Sequence, residues 1–437
     1  MTRVVHIINQ LGWGGAENLV RGMARHLRDR GWRVTVCALG RPVCDADDLD
    51  ARCLDARGPF DLPGYVRLCR LLGRLRPDLI HLHLLWAELW GLLAARHLGV
   101  PAVITGHCTY DARADSYLAR RSSRALVRAA AATICISRSV ARYRVQSCGD
   151  SPPRLRVIHN GIEVDKYCPD GLREEARARF ALPRHGVVIG TVARLHPVKG
   201  IDTFLGAAAL LARRRQEVRF LVAGGGPQEE GLRRLASSLG LHGRVTFTGE
   251  VAGAEVPKAL AAMDVFVAPS LREGLGIAAI EAMAAGLPVA ASDCEGLAEV
   301  VEDGRSGLLF APGDARALAG KLDLLLRQPE LARRLSVGAR ERARSAFSLD
   351  GMVTKVEAVY REAMSGQVCE SDVAQLVPSL SQEPPRSTGS EPALPALSAA
   401  EGSKTKGQAS AVSRCGTSSA EDAVASHPER TPARLQP

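Results

Sequence analysis

Two glutamates, Glu273 and Glu281, bracket the run Gly-Leu-Gly-Ile-Ala-Ala-Ile and follow an apolar stretch that ends at Ser270. That order predicts a strand, a glycine loop and a helix beginning near Gly276–Ile277. Glycines let a backbone approach a ligand closely, and the first N–H groups of a helix lack internal acceptors. An anion held by the amides around Leu275, Gly276 and Ile277 gains hydrogen bonds and a helix-dipole term of roughly 0.3–1 kcal/mol. Two carboxylates beside the same loop would repel a phosphate, so their better use is to accept hydrogen bonds from hydroxyls, such as those of a sugar and a ribose. Taken singly, each glutamate reads as a helix cap or a surface charge. The whole strand–loop–helix word sets the pair apart.

A second group is Gly190-Thr-Val-Ala-Arg194-Leu-His-Pro-Val-Lys199-Gly200. Two cations within six residues, just after a predicted strand, suit a diphosphate, and each charge-assisted hydrogen bond contributes about 1.5–3 kcal/mol. A glycine loop, Gly12-Trp-Gly14-Gly15-Ala-Glu17, follows the first predicted strand. It lacks the full dinucleotide fingerprint, so alone it says little. His107, in Thr105-Gly-His107, ends a buried strand, where a side chain would face a cleft.

The spacing of Glu273 and Glu281 resembles the E-x7-E signature of family 4 glycosyltransferases, which have the GT-B fold. The resemblance runs from Arg3 to about Phe347. It implies that Arg194 and Lys199 clamp the diphosphate of a nucleotide-sugar donor and neutralise the leaving group. It also implies that Gly15 meets the donor phosphate from the opposite wall. Glu281 would bind the ribose and Glu273 a hydroxyl of the donor sugar. His107, in a matching T-x-H context, would lie near the transferred sugar. Main-chain groups of Val251, in Phe247-Thr-Gly249-Glu250-Val251, would hold the nucleobase. The interdomain word Asn160-Gly-Ile-Glu163 departs from the family's usual N-G-I-D.

The implied activity is retaining transfer to a glycan, lipid-linked or small-molecule acceptor. His107, Glu273, Arg194 and Lys199 form the catalytic set, and no metal or other cofactor is required. The rivals are a non-hydrolysing nucleotide-sugar epimerase on the same plan and a catalytically inactive nucleotide-sugar-binding protein.

The elements that must position these residues follow one rhythm, met twice along 437 residues. Near-continuous apolar strands alternate with amphipathic stretches, first at Arg3–Ile8, Arg33–Leu39, Leu79–Leu84, Ala102–Thr105, Thr133–Ile136 and Arg156–Ile158. They resume at Val187–Val192, Arg219–Ala223, Arg244–Thr248, Val265–Ala268 and Pro288–Ala291. Such strands imply parallel sheets covered on both faces, with ligands at their carboxyl ends. The fold class is therefore α/β: two doubly wound Rossmann-like domains facing a cleft. The expected boundaries are an acceptor-side domain over 1–165, a nucleotide-sugar-binding domain over 166–348, and a helix over 349–364 packing back on the first domain.

Residues 365–437 contain no Phe, Trp or Tyr, and six Lys and Arg stand against eight Asp and Glu. That composition cannot offset the entropy of ordering, so a disordered tail is expected. The formal net charge of the whole chain is +10, which favours acidic partners. The arginines from Arg113 to Arg128 outline a basic helix suited to an anionic membrane surface. No reader motif accompanies the charge, so nucleic acid is not an expected partner.

Eleven cysteines without a C-x-x-C pair read as reduced thiols, hence a cytoplasmic protein. The inner face of the membrane is its candidate docking surface. No segment carries the ~20 uninterrupted apolar residues of a membrane span. Asp45-Ala-Asp47 has the form of a metal-binding D-x-D but reads as solvated charge. His81 and His83 share a strand face, as metal ligands do, yet without an evident third ligand they read as packing or cleft wall.

Overall fold

The computed structural model describes residues 1–12, 14–41, 49–107, 127–167 and 171–366. Asp45-Ala-Asp47, the expected tail beyond Gly366 and all of the arginine segment before Val127 lie outside these residues.

The first sheet contains β1 (Arg3–Ile8), β2 (Arg33–Ala38), β3 (Ala51–Cys53), β4 (Leu79–His83), β5 (Ala102–Gly106), β6 (Ala132–Cys135) and β7 (Leu155–Val157). Their order is β3-β2-β1-β4-β5-β6-β7, parallel throughout. The second sheet contains β8 (Val188–Val192), β9 (Arg219–Ala223), β10 (Val245–Phe247), β11 (Val265–Ala268), β12 (Val289–Ser292) and β13 (Leu308–Phe310). Its order is β10-β9-β8-β11-β12-β13, again parallel. Helices cover both faces, which is why strands such as β4 and β11 are buried at every position. Both sheets belong to one compact unit.

The strand orders locate the site. In the first sheet the chain winds outward in opposite directions from β1 and β4, and in the second from β8 and β11. Loops leaving the carboxyl ends of such neighbours diverge, opening a crevice between them. Residues 9–12 leave β1, His107 follows β5, Arg194 and Lys199 follow β8, and residues 273–276 follow β11.

The chain passes between the two sheets twice, and the passages lie side by side. Ile162 N–H donates to Phe347 O at 2.9 Å, and Leu349 N–H donates to Ile162 O at 2.9 Å. Gly161 permits the approach, because a Cβ there would stand 2.5 Å from Ser348 O. Helix Leu349–Ser365 then returns to the first sheet. It buries Met352, Val353, Val356, Val359 and Tyr360 in one apolar cluster with Val4, Leu27 and Trp32. Glu357 on this helix accepts from Trp32 Nε1 at 2.6 Å and from Arg30 at 2.7 Å.

The lobes also touch directly. Glu299, from the short helix Glu295–Val300, accepts from the N–H groups of Arg138 and Ser139 and pairs with His159 at 3.0 Å. No helix among the described residues is long and apolar enough to cross a membrane. The six described cysteines are free thiols.

Candidate active site

The loops after β8 and β11 are stitched together before any ligand arrives. Leu271 N–H donates to Val198 O at 2.8 Å. Gly200 makes this possible: it sits at φ +60°, and a Cβ would fall 2.1 Å from Pro269 O. The consequence is that Lys199 and Glu273, far apart in sequence, form an ion pair. Lys199 Nζ donates to Glu273 Oε2 at 2.6 Å, and Ser270 Oγ donates to the same oxygen at 3.1 Å. Both partners are only partly buried, so an incoming anion can compete for the ammonium.

Arg194 lies earlier in the same loop, exposed and without an ion pair among the described residues. Its loop rests on the turn Gly224–Gly226, where Leu195 N–H donates to Gly225 O at 2.8 Å. Cβ atoms at Gly224 or Gly226 would strike Ala193 O or Leu195 O. This triglycine run therefore supports the arginine loop rather than gripping a ligand. Pro227, whose fixed φ suits the first position of a helix, instead lies before the next one. Helix Glu229–Ser238 starts two residues later, because the chain must first close the turn under Leu195.

Helix Ile277–Ala284 opens beside the ion pair. Gly276 caps it at φ +99°, in the left-handed region, and Leu275 is buried beneath the loop. The N–H groups of Ala279 and Ile280 donate to Gly276 O, whereas those of Ile277 and Ala278 have no acceptor within the helix and are placed to meet an anion. Glu281, one turn along, faces the linker and accepts from Tyr167 Oη at 2.6 Å. Burial pushes its carboxyl up to about 7, against the opposing pull of the Tyr167 hydrogen bond and Lys166. Val251 is half-buried in the loop after β10.

On the facing lobe, Gly14 caps helix Gly15–Asp29 without a side-chain cap, and a Cβ on Gly15 would meet open space. Gly253, two residues past Val251, comes within contact of Asn18 on this helix: a Cβ there would lie 3.6 Å from Asn18 Nδ2. The Val251 loop and the Gly15 helix terminus are therefore neighbours. His107 follows β5, and its Nε2 lies 3.2 Å from His83 Nδ1. Burial pushes its imidazole down to about 4, so the ring is neutral at pH 7.

Three features escaped the sequence reading. Tyr167 as partner of Glu281 had no signal, since a tyrosine in a linker has no period or motif. His196 has a buried Nδ1 without a partner among the described residues. The third imidazole near His81 and His83, thought absent, is His6 of β1. Parallel register places His6 beside His81, a neighbour invisible to spacing along one strand.

The arrangement offers a pair of cations, a helix N-terminus and two hydroxyl-accepting carboxylates on one lobe, and a neutral imidazole and a glycine-capped helix on the other. Residues 13–166 match the family model described as Glycosyltransferase Family 4, and residues 173–342 match that described as Glycosyl transferases group 1. The chain is 33% identical over 305 residues to the D-inositol 3-phosphate glycosyltransferase of Streptomyces scabiei, covering 66% of this chain and 68% of that protein. It is 34% identical over 274 residues to the 2-deoxystreptamine glucosyltransferase of Streptomyces kanamyceticus, covering 60% and 71%. Among solved structures, Anabaena HepE in complex with UDP and glucose superposes with a TM-score of 0.73 at 22% identity, covering 83% of this chain and all of that one. Sucrose-phosphate synthase from Thermosynechococcus elongatus gives 0.72 at 24% identity, covering 84% and 100%. At such identities these two structures speak for the fold, two Rossmann-like lobes of the GT-B type.

Proposed function

Since the chain belongs to the family 4 glycosyltransferases, we propose that it moves a sugar from a nucleoside diphosphate donor to a small polyhydroxylated acceptor, with retention at the anomeric carbon and without a metal. The observation that carries the reading is the Lys199–Glu273 ion pair, 2.6 Å long, set at the switch point of the second sheet beside the open N-terminus of helix Ile277–Ala284. A diphosphate seated there takes hydrogen bonds from Lys199, Arg194 and the amides of Gly276 and Ile277, while Gly15 closes on it from the other lobe. Glu273, released from part of its contact with Lys199, accepts from a sugar hydroxyl.

In the reaction the bond from the anomeric carbon to the diphosphate oxygen breaks, and its electron pair goes to that oxygen. The acceptor hydroxyl forms the new bond on the same face and passes its proton to the departing phosphate. The cations and helix amides stabilise charge that grows as the bond breaks, which is where such contacts accelerate reaction. These fixed charges do what a divalent ion does in metal-dependent transferases, so activity is expected to survive a chelator. The acceptor class rests on relatives named for inositol phosphate and deoxystreptamine.

The test is a panel of nucleotide sugars, uridine diphosphate donors first, scored by thermal stabilisation and then by transfer to cyclitol and aminocyclitol acceptors. A ligand at about a hundred times its Kd stabilises the fold by about 2.7 kcal/mol. A panel that neither stabilises the chain nor yields product removes the reading. Conversion of the donor sugar with no acceptor present would make it an epimerase.

Glu281 adds a pH dependence. Its ionised carboxylate accepts from both ribose hydroxyls, whereas the protonated form loses one acceptor. With its carboxyl raised to about 7, nucleotide affinity falls as pH drops through 7, by up to about tenfold per unit. The same shift lowers fold stability as pH rises from about 4.5 towards 7, because the folded form keeps a proton that the unfolded chain has released. Glu281→Gln is expected to flatten both profiles, read by calorimetry and by melting at pH 6 and 8. An unaltered affinity profile in that variant refutes the ribose contact.

A further inference from the structure

Beneath His107 runs an unbroken file of hydrogen-bonding side chains. His107 Nε2 lies 3.2 Å from His83 Nδ1, and His83 Nε2 lies 3.0 Å from His6 Nδ1. His6 Nε2 lies 3.4 Å from Tyr360 Oη, which in turn is 2.5 Å from His81 Nδ1. His81 Nε2 ends the file 2.6 Å from Thr105 Oγ1. His6, His81, His83, Thr105 and Tyr360 are all buried. Burial drives His6 down to about 3 and holds His81 and His83 well below the usual histidine range, so each ring carries one proton.

Counting protons fixes the direction. Each of the six groups brings one hydrogen, and the file has five links. An imidazole proton sits on one ring nitrogen or the other, so every interior imidazole supplies one link and accepts at the next. With all links satisfied, the spare hydrogen falls on Thr105 Oγ1 pointing elsewhere, on Tyr360 Oη accepting from both neighbours, or on His107 Nδ1. Thr105 and Tyr360 are both buried, and neither hydroxyl has a partner outside the file among the described residues. A hydroxyl hydrogen left unpaired there would be costly. His107, by contrast, is only half-buried, and its Nδ1 has no partner among the described residues.

We propose that Thr105 polarises this file so that His107 is held as its Nδ1–H tautomer, presenting a neutral hydrogen-bond donor to an oxygen of the transferred sugar. Thr105 donates to His81, His81 to Tyr360, Tyr360 to His6, His6 to His83 and His83 to His107. Neutral imidazole in water favours the opposite tautomer, so the protein must impose this one. Tyr360 lies on the return helix Leu349–Ser365, which makes that helix part of what sets the site. The link to the sugar rests on the transferase reading; the tautomer does not.

The full chain, labelled with 15N-histidine, reports the tautomer directly through imidazole nitrogen shifts, with His107 assigned by its loss in His107→Asn. In the parent chain, His107 is expected to carry its proton on Nδ1. Thr105→Val keeps the shape but removes the hydroxyl, and is expected to shift His107 to a tautomer mixture. Its kcat falls about tenfold, the worth of one neutral hydrogen bond, with donor KM within about twofold. Thr105→Ser restores both tautomer and kcat. Tyr360→Phe breaks the file midway and gives the same mixture.

A parent His107 protonated on Nε2 overturns the proposal. So does a Thr105→Val chain that slows while its His107 stays on Nδ1, or one equivalent of a transition metal bound through His6, His81 and His83. The expected tautomer in a chain that binds no nucleotide sugar would leave this proposal standing and remove the transferase reading instead.

Discussion

Lys199→Ala is expected to lower the rate of sugar transfer on the order of a thousandfold while the melting temperature moves by only a few degrees. The ammonium does two jobs at one spot. It donates to Glu273 Oε2 at 2.6 Å, and in the proposed reaction it meets the diphosphate beside helix Ile277–Ala284. Removing it takes away an attraction for the leaving group and leaves the Glu273 carboxylate, held also by Ser270 at 3.1 Å, as an uncompensated repulsion.

Single donors aimed at developing negative charge contribute about 10²–10³ in rate, and cationic ones in phosphoryl transfer about 10³–10⁵. The loss should fall more on kcat than on KM, since the charge on the leaving oxygen grows only as the bond breaks. Stability barely changes because a partly exposed ion pair contributes at most about 1 kcal/mol. The double variant Lys199→Ala/Glu273→Gln should lose less than the two single losses combined, because the repulsion is gone. A Lys199→Ala rate within tenfold of the parent excludes the clamp.

How much of this was legible beforehand depended on whether a signal was local. Strand β1 is legible at Arg3–Ile8 because Arg-Val-Val-His-Ile-Ile is apolar enough to stand buried on both faces. The loop before Ile277 was placed because its glycines lie between a strand and a helix. Strands β3 and β13 carry no such signal. Ala51–Cys53 is three residues at a sheet edge, mostly exposed, with no apolar run to mark it. Leu308–Phe310 is equally short.

Pairings across the fold were not legible at all. Lys199 with Glu273, Tyr167 with Glu281 and His6 with His83 are made by the stacking of parallel strands and the closeness of two crossings. Spacing within a segment carries none of that. The glycine turn at 224–226 shows the intermediate case. Three successive glycines mark a tight turn by residue type alone, while its purpose, to let Ala193–Leu195 lie across it, needs the neighbour.

The complement to the lysine experiment acts on the amide side of the same pocket. Gly276→Ala is expected to reduce transfer about a hundredfold or more and to cost the fold about 2–4 kcal/mol. Gly276 sits at φ +99°, where an L residue is strained, and its Cβ would lie 2.4 Å from Leu297 Cδ2. Leu297 cannot step aside cheaply, because it is buried on helix Glu295–Val300. That helix is tied to the loop: Gly296 N–H donates to Glu273 O at 3.2 Å, and a Cβ on Gly296 would stand 2.5 Å from the same oxygen.

Relief must therefore come from the loop. It turns the amides of Gly276 and Ile277 away from the diphosphate and carries Glu281 with them. Gly231→Ala is the matching control, since it lies inside helix Glu229–Ser238 with nothing within 4 Å of its Cβ. That change should stabilise the chain by about 0.5–1 kcal/mol and leave the rate alone. Melting curves and initial rates on both variants separate a general dislike of added methyls from a loop whose backbone must be free to bind. Equal rates in Gly276→Ala and Gly231→Ala would mean that the N-terminus of helix Ile277–Ala284 takes no part in catalysis.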